Sequence, residues 1–370
     1  MSDSHSRVAP PDNPVSIRGI DYLEMYVGNV YQAMHFYRVL YGFRPCAYAG
    51  LETGERAAAS VVMEQNDVRL VLTGALAPGG LVSEHVRRHG DSVKDIAFRV
   101  DDARATYEAA VGRGAHPVME PTVFEDEHGR LVRATVRTFG DTVHSFVERG
   151  SYAGPFLPGY LPHNGPDAPL SPHLSNIDHL AICVEQGALA RWIEFYENVL
   201  GFHLSHQEDV ATEYSAMNSQ VVEDRTGSVK FPIMEPAPNK RRSQIEEYLA
   251  FHCGPGVQHI AFGSDDIVRT VETLRGAGTD FLAPPSSYYE RLGRRVGEIR
   301  EDVSALQRLN ILVDRDRWGY LMQIFTRPIQ GLPTLFLEVI QRHDARGFGG
   351  GNIKALFEAV ELEQMRRGNL

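Results

Sequence analysis

Three cysteines in 370 residues, Cys46, Cys183 and Cys253, are too few and too scattered for a disulfide framework or a thiolate metal cluster. That scarcity fits a reduced, cytoplasmic compartment. No run of about 18 apolar residues is present to cross a bilayer, so no membrane partner is expected. No glycine-rich nucleotide fingerprint follows a strand-like run, which argues against a parallel, doubly wound sheet. Basic residues are in deficit: 37 Lys and Arg against 48 Asp and Glu leave a net charge of −11. An acidic surface repels a phosphate backbone, so a nucleic-acid partner is not expected. The short run Lys240–Arg241–Arg242 does not reverse this and reads as a solvated loop or helix start. Met1 to Pro14 is polar and contains proline. It lacks the apolar stretch and cleavage site of a secretory signal and reads as a loose leader.

What the chain does contain is a repeat. Ile20–Asp21–Tyr22 opens a strand-like run, followed by the amphipathic stretch Val30 to Tyr37 and the turn Leu40–Tyr41–Gly42–Phe43. Ile177–Asp178–His179 opens another, followed by Trp192 to Tyr196 and Leu200–Gly201–Phe202. Val93 to Phe98, with a helix through Ala103–Val111, matches Val257 to Phe262, with a helix through Ile267–Leu274. Phe146–Val147–Glu148–Arg149 matches Val339–Ile340–Gln341–Arg342. Each half thus holds two strand–helix–strands units. The expected domains are 16–150, structural, and 176–370, functional, with 151–175 as a surface linker. The expected class is α+β: paired, strongly curved sheets with helices outside and a concave interior.

The repeat lets one half serve as a control for the other. His179 stands where Tyr22 stands, His259 where Asp95 stands, and Glu338 where Ser145 stands. Three potential metal ligands occupy one half only. They lie 80 and 79 residues apart, so spacing alone says little, but each sits in strand-like apolar sequence. Period-two alternation can turn all three into the concavity while Leu180, Ile260 and Leu337 pack outward. A buried carboxylate is costly without a partner, and a divalent metal removes that cost. Two imidazoles and one carboxylate leave three faces of an octahedral ion open, which suits Fe(II). Zn(II) takes the same donors, although a hydrolytic zinc site needs only one open position. The same alternation points Asp178 and Gln258 away from the ligand face. His85 and His89, beside Arg87 and Arg88, and His163 and His173, in the linker, read as surface groups.

Further strings are more specific. They are Ser243–Gln244–Ile245 with Tyr248–Leu249, Gly256 to Ala261, Tyr288–Tyr289, Arg315–Asp316, Gly319 to Thr326, and Gly347–Phe348–Gly349 with Gly351–Asn352. On these the chain, from about Ile17 to Leu370, closely resembles the 4-hydroxyphenylpyruvate dioxygenase family, a group that includes hydroxymandelate synthases. The resemblance implies a vicinal-oxygen-chelate fold of paired βαβββ modules forming two half-barrels, closed by a C-terminal helix over Asn352 to Arg366. It implies one Fe(II) per chain on His179, His259 and Glu338, with O2 as co-substrate and an aryl 2-oxo acid as substrate. The implied pocket residues are Ser219, Pro232, Gln244, Gln258, Gln323, Phe325, Phe348, Asn352 and Phe357. Gln244 and Gln323 are candidates for the phenol hydroxyl, Phe325 and Phe357 for gripping the ring. A homo-oligomer, dimer or tetramer, is implied through first-half surfaces.

Two positions depart from the dioxygenase pattern. Where the family usually has Pro-Ile-Asn-Glu-Pro, this chain has Pro232–Ile233–Met234–Glu235–Pro236; where it usually has Gly-Asn-Phe, this chain has Gly351–Asn352–Ile353. Hydroxymandelate synthases are similar here, with an aliphatic residue at each place, and also resemble Ala216–Met217–Asn218–Ser219. Met234 removes a polar tether and Ile353 a ring wall. The expectation is therefore benzylic hydroxylation to 4-hydroxymandelate. The alternatives are ring hydroxylation to homogentisate, action on another aryl 2-oxo acid, or a chelate-fold protein that only binds a small molecule.

Overall fold

Residues 177–183 show how the sequence sets the architecture. Ile177, Leu180 and Ile182 join the main apolar core, while His179, Ala181 and Cys183 face the opposite side. A strand apolar on both faces must be covered twice, here by helices on one side and a closing element on the other. In this computed structural model, residues 15–165, 168–169, 173–285, 287–290 and 292–369 are described. The leader reading of Met1 to Pro14 falls outside them, as does part of the linker.

The first half runs β1 (Ile17–Tyr26), α1 (Val30–Tyr41), β2 (Arg44–Ala49), β3 (Ala58–Gln65), β4 (Val68–Ala75), α2 (Leu81–His89), β5 (Ser92–Val100), α3 (Ala103–Gly112), β6 (Pro117–Asp126), β7 (Gly129–Arg137) and β8 (Val143–Glu148), then the short β9 (Leu161–Pro162). The second runs β10 (Leu174–Cys183), α4 (Leu189–Asn198), β11 (His203–Ala211), β12 (Ala216–Glu223), β13 (Lys230–Ala237), α5 (Gln244–His252), β14 (Gly256–Ser264), α6 (Ile267–Ala277), α7 (Ser287–Glu290), α8 (Leu292–Val296), α9 (Val303–Leu309), β15 (Leu312–Arg315), β16 (Tyr320–Phe325) and β17 (Phe336–His343). α10 (Gly350–Arg367) follows. The strand orders are β6-β7-β8-β5-β1-β4-β3-β2-β9 and β11-β12-β13-β10-β14-β17-β16-β15. Each sheet is two βαβββ modules joined at their first strands, as β1 with β5 and β10 with β14. The expected α+β chelate fold is therefore present.

Local chemistry starts the helices at matching places. Asp102 and Asp266 accept the backbone N–H of Ala105 and Arg269, capping α3 and α6. One continuous core joins the helix sides of both halves, where Phe43 meets Phe262 at 5.9 Å and Phe98 meets Phe231 at 6.2 Å. Helices α2 and α5 join the modules at matching places in the two halves, whereas α7 to α9, inserted before β15, have no counterpart among the described residues of the first half.

Two expectations are corrected. The linker is not confined to the surface: Phe156 is 1% exposed and, with Leu157 and Tyr160, fills the concave side of the first sheet, edge-on to Tyr22 at 5.2 Å. His85 and His89 are not surface groups but are 8% and 2% exposed. Their tilted rings lie in series with that of His252 of α5, each step 4.5 Å between ring centres. Their polar sequence context could not reveal a helix from the other half lying over them. His173 is exposed as expected, and His163 is partly buried.

Candidate metal centre

Three neighbouring strands bring the ligands together. His179 on β10 pairs with Ala261 on β14, and Ala261 pairs with Glu338 on β17. His259, two residues back along β14, faces the same side. The small Ala261 thus lies between two of the ligand positions. Glu338 Oε2 is 3.2 Å from His179 Nε2 and 3.3 Å from His259 Nε2. The donor atoms of the three side chains lie within 4.8 Å of one another, the sole such group of three among the described residues. Donors about 2.1 Å from one ion sit about 3.0–3.4 Å apart in octahedral or tetrahedral arrangement, so the spacing fits a bound divalent metal. Glu338 Oε2 is buried and makes no hydrogen bond. A buried carboxylate oxygen aimed at two imidazole nitrogens has the donor chemistry to share a divalent cation with them.

The residue before each histidine does not turn away, contrary to strict alternation. His179 Nδ1 lies 2.8 Å from Asp178 Oδ1, and His259 Nδ1 lies 3.3 Å from Gln258 Oε1. Register shifts flank His179 in the β10–β14 pairing, and such bulges re-aim side chains. Holding Nδ1–H fixes the tautomer and frees Nε2 to bind a metal. Burial raises the Glu338 carboxyl, but the imidazoles of His179 and His259 outweigh it and hold the group down to about 2. Burial lowers His179 as well, yet the Glu338 and Asp178 carboxylates leave it raised; His259, lacking a second acid, is lowered by burial.

Above the ligands lies a cavity with about 550 Å³ of unfilled space, part of it open to solvent. Ser219, Pro232, Met234, Gln244, Gln258, Gln323, Phe325, Phe348 and Ile353, all named above, line it. Asn352 and Phe357 are not among its lining residues: Asn352 hydrogen-bonds Gln323, and Phe357 packs behind Met217 and Met234. Leu356 takes a lining place instead. Phe348 stands edge-on to His179 at 5.1 Å, and Phe336, not singled out in the sequence, stacks on His259 at 4.8 Å. His206 and Glu208 of β11 also reach the cavity. No repeat or motif marks them in the sequence. Gln244 Oε1 is buried without a partner.

Residues 11–154 match "Hydroxyphenylpyruvate dioxygenase, HPPD, N-terminal", and residues 176–324 match the Glyoxalase/Bleomycin resistance protein/Dioxygenase superfamily. The chain is 43% identical to a 4-hydroxyphenylpyruvate dioxygenase of Yarrowia lipolytica, over 96% of this chain and 94% of the other. It is 45% identical to that of Danio rerio, over 94% and 91%. A solved triple mutant of 4-hydroxymandelate synthase from Streptomyces coelicolor superposes with a TM-score of 0.85 at 38% identity, covering 94% of this chain and 99% of that one.

Proposed function

The chain belongs to the 4-hydroxyphenylpyruvate dioxygenase family, and from that premise we propose that it converts 4-hydroxyphenylpyruvate and O2 to 4-hydroxymandelate and CO2. His179, His259 and Glu338 would hold one Fe(II) per chain. When bound, that ion supplies chelation of the 2-oxo acid and activation of dioxygen for oxidative decarboxylation. One oxygen atom of O2 ends in the new carboxylate and the other in the benzylic hydroxyl, so no external reductant is needed. No side chain needs to act as a general base.

The chain's own task is to aim the aryl group. Gln244 Oε1, buried and unpaired, is placed to accept the phenol hydroxyl. Gln323 is the weaker candidate, since its amide is already engaged by Asn352 and Glu338. Phe348 and Phe325 flank the ligand histidines and offer ring contacts. The observation that carries the synthase reading is that Met234 and Ile353 line the same cavity as the three ligands. Met234 lies opposite Ser219 in the β12–β13 pairing. With an aliphatic side chain at each place, the ring loses a polar tether and a stacking wall, the latter worth about 0.5–1.5 kcal/mol beyond its area. The ring is then free to swing aside and the methylene to come forward. Displacements of about 1 Å change positioned reactions by roughly 10²-fold.

The competing reading is ring hydroxylation to homogentisate, favoured by the names of the relatives over nearly the full chain. The deciding experiment incubates the Fe(II)-loaded protein with 4-hydroxyphenylpyruvate and oxygen and identifies the product by chromatography and mass. 4-Hydroxymandelate is expected; homogentisate as the main product selects the competing reading.

A further inference from the structure

The two oxygens of Glu338 have different surroundings. Oε2 faces the imidazoles without a hydrogen bond, whereas Oε1 accepts Gln323 Nε2–H at 2.9 Å. Gln323 Oε1 accepts Asn352 Nδ2–H at 2.9 Å, and Asn352 Oδ1 accepts the Tyr288 hydroxyl at 2.6 Å. The Tyr288 oxygen in turn receives Arg295 Nη2 and, at 2.8 Å, the Val313 backbone N–H.

Those two donors fill both acceptor positions of the phenol, so its single proton must be donated onward. Two carbonyl oxygens are within reach of that proton, Asn352 Oδ1 at 2.6 Å and the Val313 backbone oxygen at 2.8 Å, and the latter also takes Arg295 Nη2 at 2.7 Å. The shorter bond assigns the proton to Asn352. The sense of the inner links is set by Glu338: a carboxylate oxygen only accepts, so Gln323 turns its NH2 to it and its carbonyl to the Asn352 NH2, which leaves Asn352 Oδ1 to face the hydroxyl. Glu338, Gln323 and Asn352 are 1%, 2% and 0% exposed, so water cannot replace a lost link cheaply.

We infer that Tyr288 and Arg295 are positioning residues of the proposed dioxygenase: they lock an amide chain that occupies Glu338 Oε1 and leaves only Oε2 for the metal. This rests on the Fe(II) reading above. A one-oxygen Glu338 with two histidines leaves three positions of an octahedron free, two for a chelating 2-oxo acid and one for dioxygen. A two-oxygen Glu338 would take one of those three. The chain enters through Asn352 in the first turn of α10, where Gly351 N–H is held by Asp314 Oδ2 at 2.7 Å. Seating of the closing helix and the geometry of the metal carboxylate are thereby one event.

The test uses the full-length protein loaded with Co(II), whose visible absorption reports coordination number. Tyr288→Phe removes the donated proton but keeps the ring against Arg295. Its Co(II) spectrum should differ from wild type, its Co(II) affinity should fall about 10-fold or more, and oxygen consumed per product formed should rise. Tyr289→Phe is the control: among the described residues its hydroxyl hydrogen-bonds the Leu306 and Ile311 carbonyls and no member of the amide chain, and its spectrum should match wild type. If Tyr288→Phe does not fold, Arg295→Lys, at the outer end of the chain, should shift spectrum and affinity in the same direction. A wild-type Co(II) spectrum and affinity in either variant overturns the inference. Failure of the wild-type protein to consume oxygen with any aryl 2-oxo acid overturns the dioxygenase reading instead, and the Co(II) result still stands or falls by itself.

Discussion

Arg342 grips Asp178 by two hydrogen bonds, Nε to Oδ2 at 2.7 Å and Nη2 to Oδ1 at 2.8 Å. The first half has the same pair, Arg149 on Asp21, with Nε to Oδ2 at 2.8 Å. A structural ion pair of the repeat has been put to use in the second half only, because there the residue after the aspartate is a histidine. The Arg342 guanidinium also holds Asp178 well below the usual carboxylate range against the opposing effect of burial.

Asp178→Asn should therefore act differently from Asp21→Asn. Each breaks a buried pair, a change that costs about 3–5 kcal/mol. Only Asp178→Asn should also weaken metal binding, by about 10- to 100-fold. Titration calorimetry with Co(II), set beside denaturant unfolding of both variants, checks this.

Metal occupancy should stabilise the fold. At a free metal concentration 100 times Kd the gain is about 2.7 kcal/mol, seen as a rise in Tm that a chelator reverses. Glu338→Ala should abolish that rise. An undiminished metal-dependent Tm shift in this variant would remove Glu338 from the ligand set.

Met234→Asn combined with Ile353→Phe should restore a tether and a ring wall. Product should move toward homogentisate, each single change giving a smaller shift. Product ratios unchanged in the double variant would mean that other side chains aim the ring.

Gln244→Leu should lose the preference for a 4-hydroxyl group. Wild type should favour 4-hydroxyphenylpyruvate over phenylpyruvate in kcat/KM, since the latter leaves Gln244 Oε1 buried and unpaired, a cost of about 1–3 kcal/mol. The variant should bring the two substrates close to parity, measured by oxygen uptake.

Asp95, the first-half counterpart of His259, is pushed up to about 7, by burial first and by the Glu24 carboxylate also, with hydrogen bonds from Ser145 pulling the other way. Tyr22, Tyr26, Lys94 and Arg133 also face it. A carboxyl raised on folding binds its proton more tightly in the native state. Its contribution is complete below about pH 4 and is lost as pH rises through about 7, at about 1.4 kcal/mol for each pKa unit. Asp95→Asn should flatten that fall, read as the denaturation midpoint between pH 4 and pH 8.

The repeat was legible because equivalent strands keep their apolar faces: Leu180, Ile260 and Leu337 all pack into the main core as alternation required. The ligands were legible because Tyr22, Asp95 and Ser145 stand where they would be. Those three converge as well, Asp95 accepting hydrogen bonds from Ser145 and Tyr22, with Phe156 packed on Tyr22 where the second half keeps a cavity. Less was legible where separate segments meet. A bulge, not the strand period, sets the direction of Asp178 and Gln258. α5, from the other half, covers His85 and His89, which nothing in their own segment signals.

The amino-acid order alone fixed what could be computed from neighbours: where strands alternate, which half carries metal-binding side chains, and which two pocket positions became aliphatic. Folding in three dimensions decided which atom of each ligand stays free, since Asp178, Gln258 and Gln323 each claim one acceptor or donor and leave the other. Hydrogen bonds between side chains 15 to 164 residues apart have no signature in local pattern, because their geometry exists only once the strands and the closing helix are packed.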